Sequence, residues 1–301
     1  MLRQITIRLH DRTEITFGTH RPEAEFPFAG LGDLLGLAVE ERPDAAGAPD
    51  AELILPEDVK PETQWVERGP CTSAAMLPDG GHIQLLCYRR PPSRRRYYRL
   101  CIWQMGLGMG VMNAVLRGVK AVLAHCAVLE TEGGAVLLFG ESGMGKSTAV
   151  GRWRAEGGKS ISDDTALLDF SGGGEILVRR MPTWSACREK TNEGNYPSEE
   201  ELRLIGVLAL GRSESGDDEI VELSAAQYFA QCYRSMFYWN LFYQEVLTEP
   251  QKRLLAERMG GFTQIITGRF PPRALLTALE GKALRSVIET YLNTMKPKGG
   301  A

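Results

Sequence analysis

Ala135-Val136-Leu137-Leu138-Phe139-Gly140-Glu141-Ser142-Gly143-Met144-Gly145-Lys146-Ser147-Thr148 is the stretch whose reading decides the fold. Five consecutive apolar residues follow a Glu132-Gly133-Gly134 turn and stop at Gly140, the pattern of a short buried strand. Gly140 to Ser147 fits G-x-x-x-x-G-K-[ST] in full. A helical pattern then runs from Lys146 to about Ala155 and stops at Gly157-Gly158. In such a strand, loop and helix, successive backbone N–H groups wrap around phosphates, and glycine permits the tight path. The helix aims the positive end of its dipole at the same anion. Lys146 would reach the β- and γ-phosphates, and the Ser147 hydroxyl would be a magnesium ligand. The expected nucleotide-binding residues are Gly140, Glu141, Ser142, Gly143, Met144, Gly145, Lys146, Ser147 and Thr148, with ATP and Mg²⁺ as ligands. Lys146 is expected to face solvent in the empty loop. The alternative is a glycine-rich turn that binds nothing.

Downstream of that helix, a short strand leads into Ile161-Ser162-Asp163-Asp164. Two adjacent carboxylates at a strand end can divide two tasks, one holding Mg²⁺ and the other accepting a proton from an attacking hydroxyl. A solvated acidic turn is the plainer alternative. Upstream, His125 lies within the apolar run Val122–Leu129. A lone histidine on such a strand is either a satisfied core residue or, because this strand leads into the loop strand, a neighbour of the phosphates. Arg179 and Arg180 end another strand, where a cation can meet a transferring phosphoryl group or simply face water.

The order of these features carries a family resemblance. From Leu123 to Leu168 the sequence LAHCAVLETEGGAVLLFGESGMGKSTAVGRWRAEGGKSISDDTALL resembles the catalytic core of the HPr kinase/phosphorylase family: histidine strand, P-loop, one helix, Asp-Asp pair. The resemblance implies a P-loop kinase core related to phosphoenolpyruvate carboxykinase. The wider group includes relatives from peptide-modifying gene clusters, such as lasso-peptide serine kinases and the SynChlorMet-type cassette protein. Carried over by position, Lys146 and Ser147 bind phosphates and Mg²⁺, and Asp163 is the catalytic base. Asp164 is the metal-linked acid, and His125 orients the transferring phosphate. The family also forms ring-shaped homo-oligomers. Bifunctional members carry Glu-Ile-Arg-Gly-Leu-Gly where this chain has Leu177-Val178-Arg179-Arg180-Met181-Pro182. The acid is missing, which speaks against a reverse phosphorylase reaction and against HPr as the acceptor.

Residues 1–103 read as a β-rich N-terminal domain and a candidate acceptor-binding unit, and residues 104–301 as the α/β catalytic domain. Strands are expected at Ile5–Leu9, at Glu14–Phe17, and near Leu53 and Ile83. Two more, His82–Tyr88 and Tyr97–Trp103, would flank a hairpin tip, with six arginines between Arg89 and Arg99. Such a patch can grip nucleic acid or an acidic peptide, or be a solvated face. The run Cys101–Leu116 reads as a core helix, too short and too glycine-rich for a membrane span. Thr165–Phe170 and Glu175–Arg180 form a hairpin, and a strand covers Leu204–Leu210. Helices start near Ala225, at the capping box Thr248-Glu249-Pro250-Gln251, at Arg273–Leu279 and at Ala283–Met295. Arg188–Tyr196 reads as a loop able to close over a site, or as a plain surface loop, and Pro297–Ala301 as a frayed end. The aromatic run Met236–Tyr243 is either core or a groove for a partner peptide.

The chain has 301 residues, 43 % of them hydrophobic, enough for a sizeable core. With 35 basic and 38 acidic side chains the net charge is −3, which gives no bulk attraction to nucleic acid or an anionic membrane. Six cysteines form no CxxC pair and sit mostly in apolar runs, as expected of reduced thiols in a cytoplasmic protein. The function expected from these features is an ATP- and Mg-dependent phosphotransferase acting on a hydroxyl, with serine on a peptide or small protein as acceptor. A P-loop ATPase and a nucleotide-sensing module without transfer chemistry are the alternatives.

Overall fold

The computed structural model describes residues 1–20, 35–43, 48–54, 66–68, 72–76, 83–87, 95–181, 201–241, 244–278 and 283–295, with Gly32 and Gly281; between 66 and 105 the description is of the backbone alone. The first strands are β1 (Leu2–Arg8), β2 (Glu14–Thr19), β3 (Glu40–Arg42), β4 (Ala51–Ile54), β5 (Val66–Arg68), β6 (Thr72–Met76) and β7 (Ile83–Cys87). They form one seven-stranded sheet in the order β3-β1-β2-β4-β7-β6-β5. Period-two alternation makes its inner face: Ile5 opposes Phe17 and Ile7 opposes Ile15, and all four are buried.

Helix α1 (Arg95–Arg117) follows. It packs on β2, β4 and β7, and also on β8 (Ala121–Thr131), the first strand of the second sheet. One apolar cluster therefore runs from Ile5 and Phe17 through Met109 and Val115 to Val128 and Phe139. The boundary expected at 103/104 falls inside α1. The expected strand Tyr97–Trp103 is a correction: these residues are the first turns of α1, so no arginine-tipped hairpin forms from them. The tyrosine pair imitated a strand, but its run continues into the apolar face of Leu107, Val111, Met112 and Val115, and burial of that face between two sheets decides the conformation. Residues 88–94 lie outside the described residues, as do 188–196 and 296–301.

Chain order continues with β9 (Gly134–Phe139), α2 (Lys146–Ala155), β10 (Lys159–Ser162), β11 (Thr165–Gly172), β12 (Glu175–Arg180), β13 (Glu201–Arg212) and β14 (Glu219–Glu222). It closes with α3 (Ala225–Leu241), α4 (Glu249–Arg269), β15 (Arg273–Thr277) and α5 (Leu284–Met295). The architecture is mixed α/β with a β-rich N-terminal half. The strand and helix expected around the glycine loop form where they were placed, as do the Thr165–Arg180 hairpin and the capping box. In that box Thr248 and Gln251 each bond the other's backbone N–H. Arg273–Leu279 is corrected from helix to strand. Ala274 and Leu275 pair in parallel with Ala209 and Leu210 of β13 and antiparallel with Val221 and Ile220 of β14, and this double pairing holds the segment extended.

Strand β8 organises the second sheet. Its residues Ala121–His125 pair with β11, and Cys126–Thr131 pair with β9. Phe139, the last residue before the loop, is the partner of Cys126. Thr165, the first after the two aspartates, is the partner of His125. The glycine loop and the aspartate pair therefore leave the sheet at one level of β8. Strand β13 runs parallel to β9, and its end, from Ala209 to Arg212, reaches the same crest. Loops at the carboxyl ends of such parallel strands are where open α/β sheets place ligands.

Candidate active site

Gly143 and Gly145 have φ of 82° and 99°. A Cβ built on either meets nothing within 4 Å. Glycine is therefore needed here for the left-handed backbone, which costs other residues roughly 1–2 kcal/mol, and not for packing. The space before the loop is open. Gly145 caps α2 without a side-chain hydrogen bond, so the first N–H groups of the helix stay available to an anion. Ser147 and Thr148 are exposed on that first turn.

Lys146 is not solvent-facing, contrary to the expectation. It is 6 % exposed, and its Nζ donates to Gly140 O at 2.8 Å and Glu141 O at 3.0 Å. Those two carbonyls occupy the ammonium. Burial lowers its pKa below the ordinary lysine value, and the negative charges of Asp164 and Asp163 act in the opposite direction. Both aspartates are thus close enough for Lys146 to feel them.

The aspartate turn is built around Ser162. Its hydroxyl accepts from Asp164 N (3.2 Å) and Thr165 N (3.0 Å) and donates to Thr165 O (2.6 Å). Cys126 N–H donates to Asp164 O at 3.0 Å and ties the turn to β8. Asp164 Oδ1 lies 3.2 Å from His125 Nδ1, and Asp164 Oδ2 accepts from Thr165 Oγ1 at 3.2 Å. The His125 contact is a close approach without hydrogen-bond alignment, since neither ring nitrogen has an aligned partner among the described residues. The other flank of the imidazole is closed by Tyr238 of α3, stacked at 4.1 Å and 18°. Burial, and then Asp164, raise the pKa of the Tyr238 phenol.

Arg179 and Arg180 part company. Arg179 is buried between Glu201 and Asp169, so its charge is engaged by two carboxylates. Arg180 Nε donates to Ile161 O at 2.9 Å, beside the aspartate turn. Two further arginines reach the loop unforeseen. Arg212 Nη2 donates to Gly143 O at 3.0 Å, and Arg234 pairs with Glu141 at 2.8 Å. Arg212 was discoverable, because a strand parallel to the loop strand ends at the same crest. Arg234 comes from a helix far along the chain and leaves no such signal.

Two cavities flank the loop. One, of about 280 Å³, lies between Gly140-Glu141-Ser142 and α3, with His125 in its wall, and is apolar. The other, of about 590 Å³ and more polar, is lined by Gly143, Gly145, Thr148, Arg212, Ser213 and Thr277. Among the described residues no group of three His, Cys, Asp or Glu side chains could hold a metal ion. That set fits magnesium in one respect: Mg²⁺ takes one or two protein ligands and completes its shell with substrate phosphates and water. Exposed Ser147 and half-buried Asp164 offer that much. No helix among the described residues is long and apolar enough to cross a membrane.

The profile of the SynChlorMet cassette protein ScmC family matches residues 86–287, more than half of the chain. No curated protein matches the sequence. The matched span holds the glycine loop, the aspartate turn and helix α3. The chain belongs to the SynChlorMet cassette protein ScmC family.

Proposed function

We propose that this protein is an ATP- and Mg-dependent phosphotransferase with a P-loop kinase core like that of HPr kinase, acting on a serine hydroxyl of a peptide or small protein. The observation that carries the reading is the shared level of the loop and the aspartates on β8, which puts Asp163 and Asp164 within electrostatic reach of Lys146. Pure nucleotide binding needs no second carboxylate to act as a base.

In this account the loop N–H groups and Lys146 hold the β- and γ-phosphates, with the ammonium exchanging its two carbonyl partners for phosphate oxygens. Ser147 and Asp164 hold the magnesium, which neutralises phosphate charge when bound. The acceptor oxygen attacks the γ-phosphorus. An O–P bond forms as the bond to the β–γ bridging oxygen breaks, the proton passes to Asp163, and ADP leaves. Asp164 suits the fixed role because Thr165 Oγ1 donates to its Oδ2 and its Oδ1 lies against His125. The β-rich N-terminal sheet would help to present the acceptor, and the reduced thiols fit a cytoplasmic setting.

The test is the fate of the γ-phosphate. The chain is incubated with γ-labelled ATP, Mg²⁺ and a pool of serine peptides. Label on peptide hydroxyls supports the reading. Release as inorganic phosphate alone, whether or not peptide is present, would favour a P-loop ATPase, and no turnover with tight ATP binding a nucleotide sensor.

A further inference from the structure

We propose that the apolar cavity between the glycine loop and α3 is the acceptor subsite, and that it takes an aromatic or large aliphatic side chain next to the hydroxyl to be modified. The proposal rests on the phosphotransferase reading for the word acceptor; the cavity and its preference stand on their own geometry.

The side of the loop is decided by the aspartates. Asp164 touches His125, and His125 forms part of the wall of the apolar cavity. The polar cavity lies on the other flank, beyond Gly145 and Thr148, and leaves room there for the rest of the nucleotide. Of these two cavities the apolar one shares His125 with the aspartate turn, which makes it the approach for a hydroxyl that gives its proton to the pair.

Its walls specify the occupant. Tyr233 and Phe237 stack at 5.4 Å along α3, Tyr238 stacks on His125, and Leu241 stands at the mouth with 59 % of its surface exposed. The hollow, of about 280 Å³, opens to solvent and its walls are almost wholly apolar, so an apolar group entering it is removed from water. A cavity of roughly 150 Å³ accommodates benzene, so this one has room for a phenyl or isobutyl group and some adjoining backbone. The charged groups at the rim, Glu141 and Arg234, neutralise each other at 2.8 Å and do not favour a charged side chain. Three buried polar atoms of the lining residues, His125 Nδ1, His125 Nε2 and Gln231 Oε1, have no aligned hydrogen-bond partner among the described residues. An apolar side chain with hydroxyl and peptide groups beside it satisfies both features.

The test uses the full chain, immobilised without nucleotide, to select from a positional-scanning library of short peptides with one fixed serine. Burying such a side chain predicts enrichment of Phe, Tyr, Leu or Met about tenfold or more at one position within two residues of the serine. Leu241→Glu puts a charge at the mouth. Leu241 is the exposed last residue of α3, so this variant folds, and the enrichment should fall to background. Enrichment of charged residues, no enrichment, or the same selection by Leu241→Glu overturns the proposal. Apolar selection without labelling from ATP upholds the cavity and removes the phosphotransferase reading. Labelling without apolar preference does the reverse.

Discussion

Asp164 stands 3.2 Å from the imidazole of His125 because Thr165, the next residue along the chain, is the strand partner of His125. A register thus fixes a site contact. With Tyr238 closing the opposite face of the ring, His125 has little freedom to turn.

That stack can be tested. Tyr238→Ala should remove at least the stacking contribution, about 0.5–1.5 kcal/mol, in denaturant unfolding and lower phosphoryl transfer by releasing the imidazole. Tyr238→Phe keeps the ring contact and should retain most of both. Wild-type transfer by Tyr238→Ala would mean that the orientation of His125 is immaterial.

Lys146 yields a pH signature. Its pKa is lowered by burial, so in the folded chain it loses its proton before an unfolded lysine does. Below the folded pKa the penalty for burying the charge is fully present. As pH rises through that value toward the ordinary lysine pKa, the unfolded state binds more protons and folding stability rises. Urea unfolding across the alkaline range should show the wild type gaining stability relative to Lys146→Met, over the fall that the buried tyrosines and thiols give both proteins. The variant should also fold at least as stably at neutral pH while losing ATP binding. A parallel pH profile for the two proteins would contradict the assignment.

Far from the loop, Arg117 grips Asp50 with two hydrogen bonds of 2.7 and 2.8 Å, and Asp50 also accepts from Thr16 N. The Asp50 side chain is 1 % exposed. Arg117→Ala leaves that carboxylate short of partners and should cost about 1–3 kcal/mol of stability. ATP affinity at the folded chain should not move. A change in affinity would show that the docking of the first sheet is coupled to the loop.

The parts of the site that lie close together in sequence were legible there. Lys146 to Ala155 is helical as expected because glycine stops the pattern at both ends, and the two aspartates follow at one strand's distance. The burial of Lys146 was not legible, since it depends on where the carbonyls of Gly140 and Glu141 turn. Nor was the helical state of Tyr97–Trp103, which follows from packing between two sheets. The aromatic run of α3 admitted a core or a partner groove, and the structure shows core for Met236 and Trp239, which are buried, while Phe237 and Leu241 line a cavity.

The central claim is that one of the two aspartates takes the acceptor's proton, and Asp163→Asn tests it most directly. ATP affinity is measured by titration in the presence of Mg²⁺, and transfer to serine peptides is followed with γ-labelled ATP. Asn is close in shape to Asp but accepts no proton, so the account predicts near-normal Mg-ATP binding with transfer reduced about 10²–10⁴-fold. Asp164→Asn, run beside it, should raise the Mg²⁺ concentration needed instead. Wild-type transfer by both variants would contradict the account and make the pair a structural turn. Loss of ATP binding in both would make it a metal-holding pair and leave a simple ATPase as the better description.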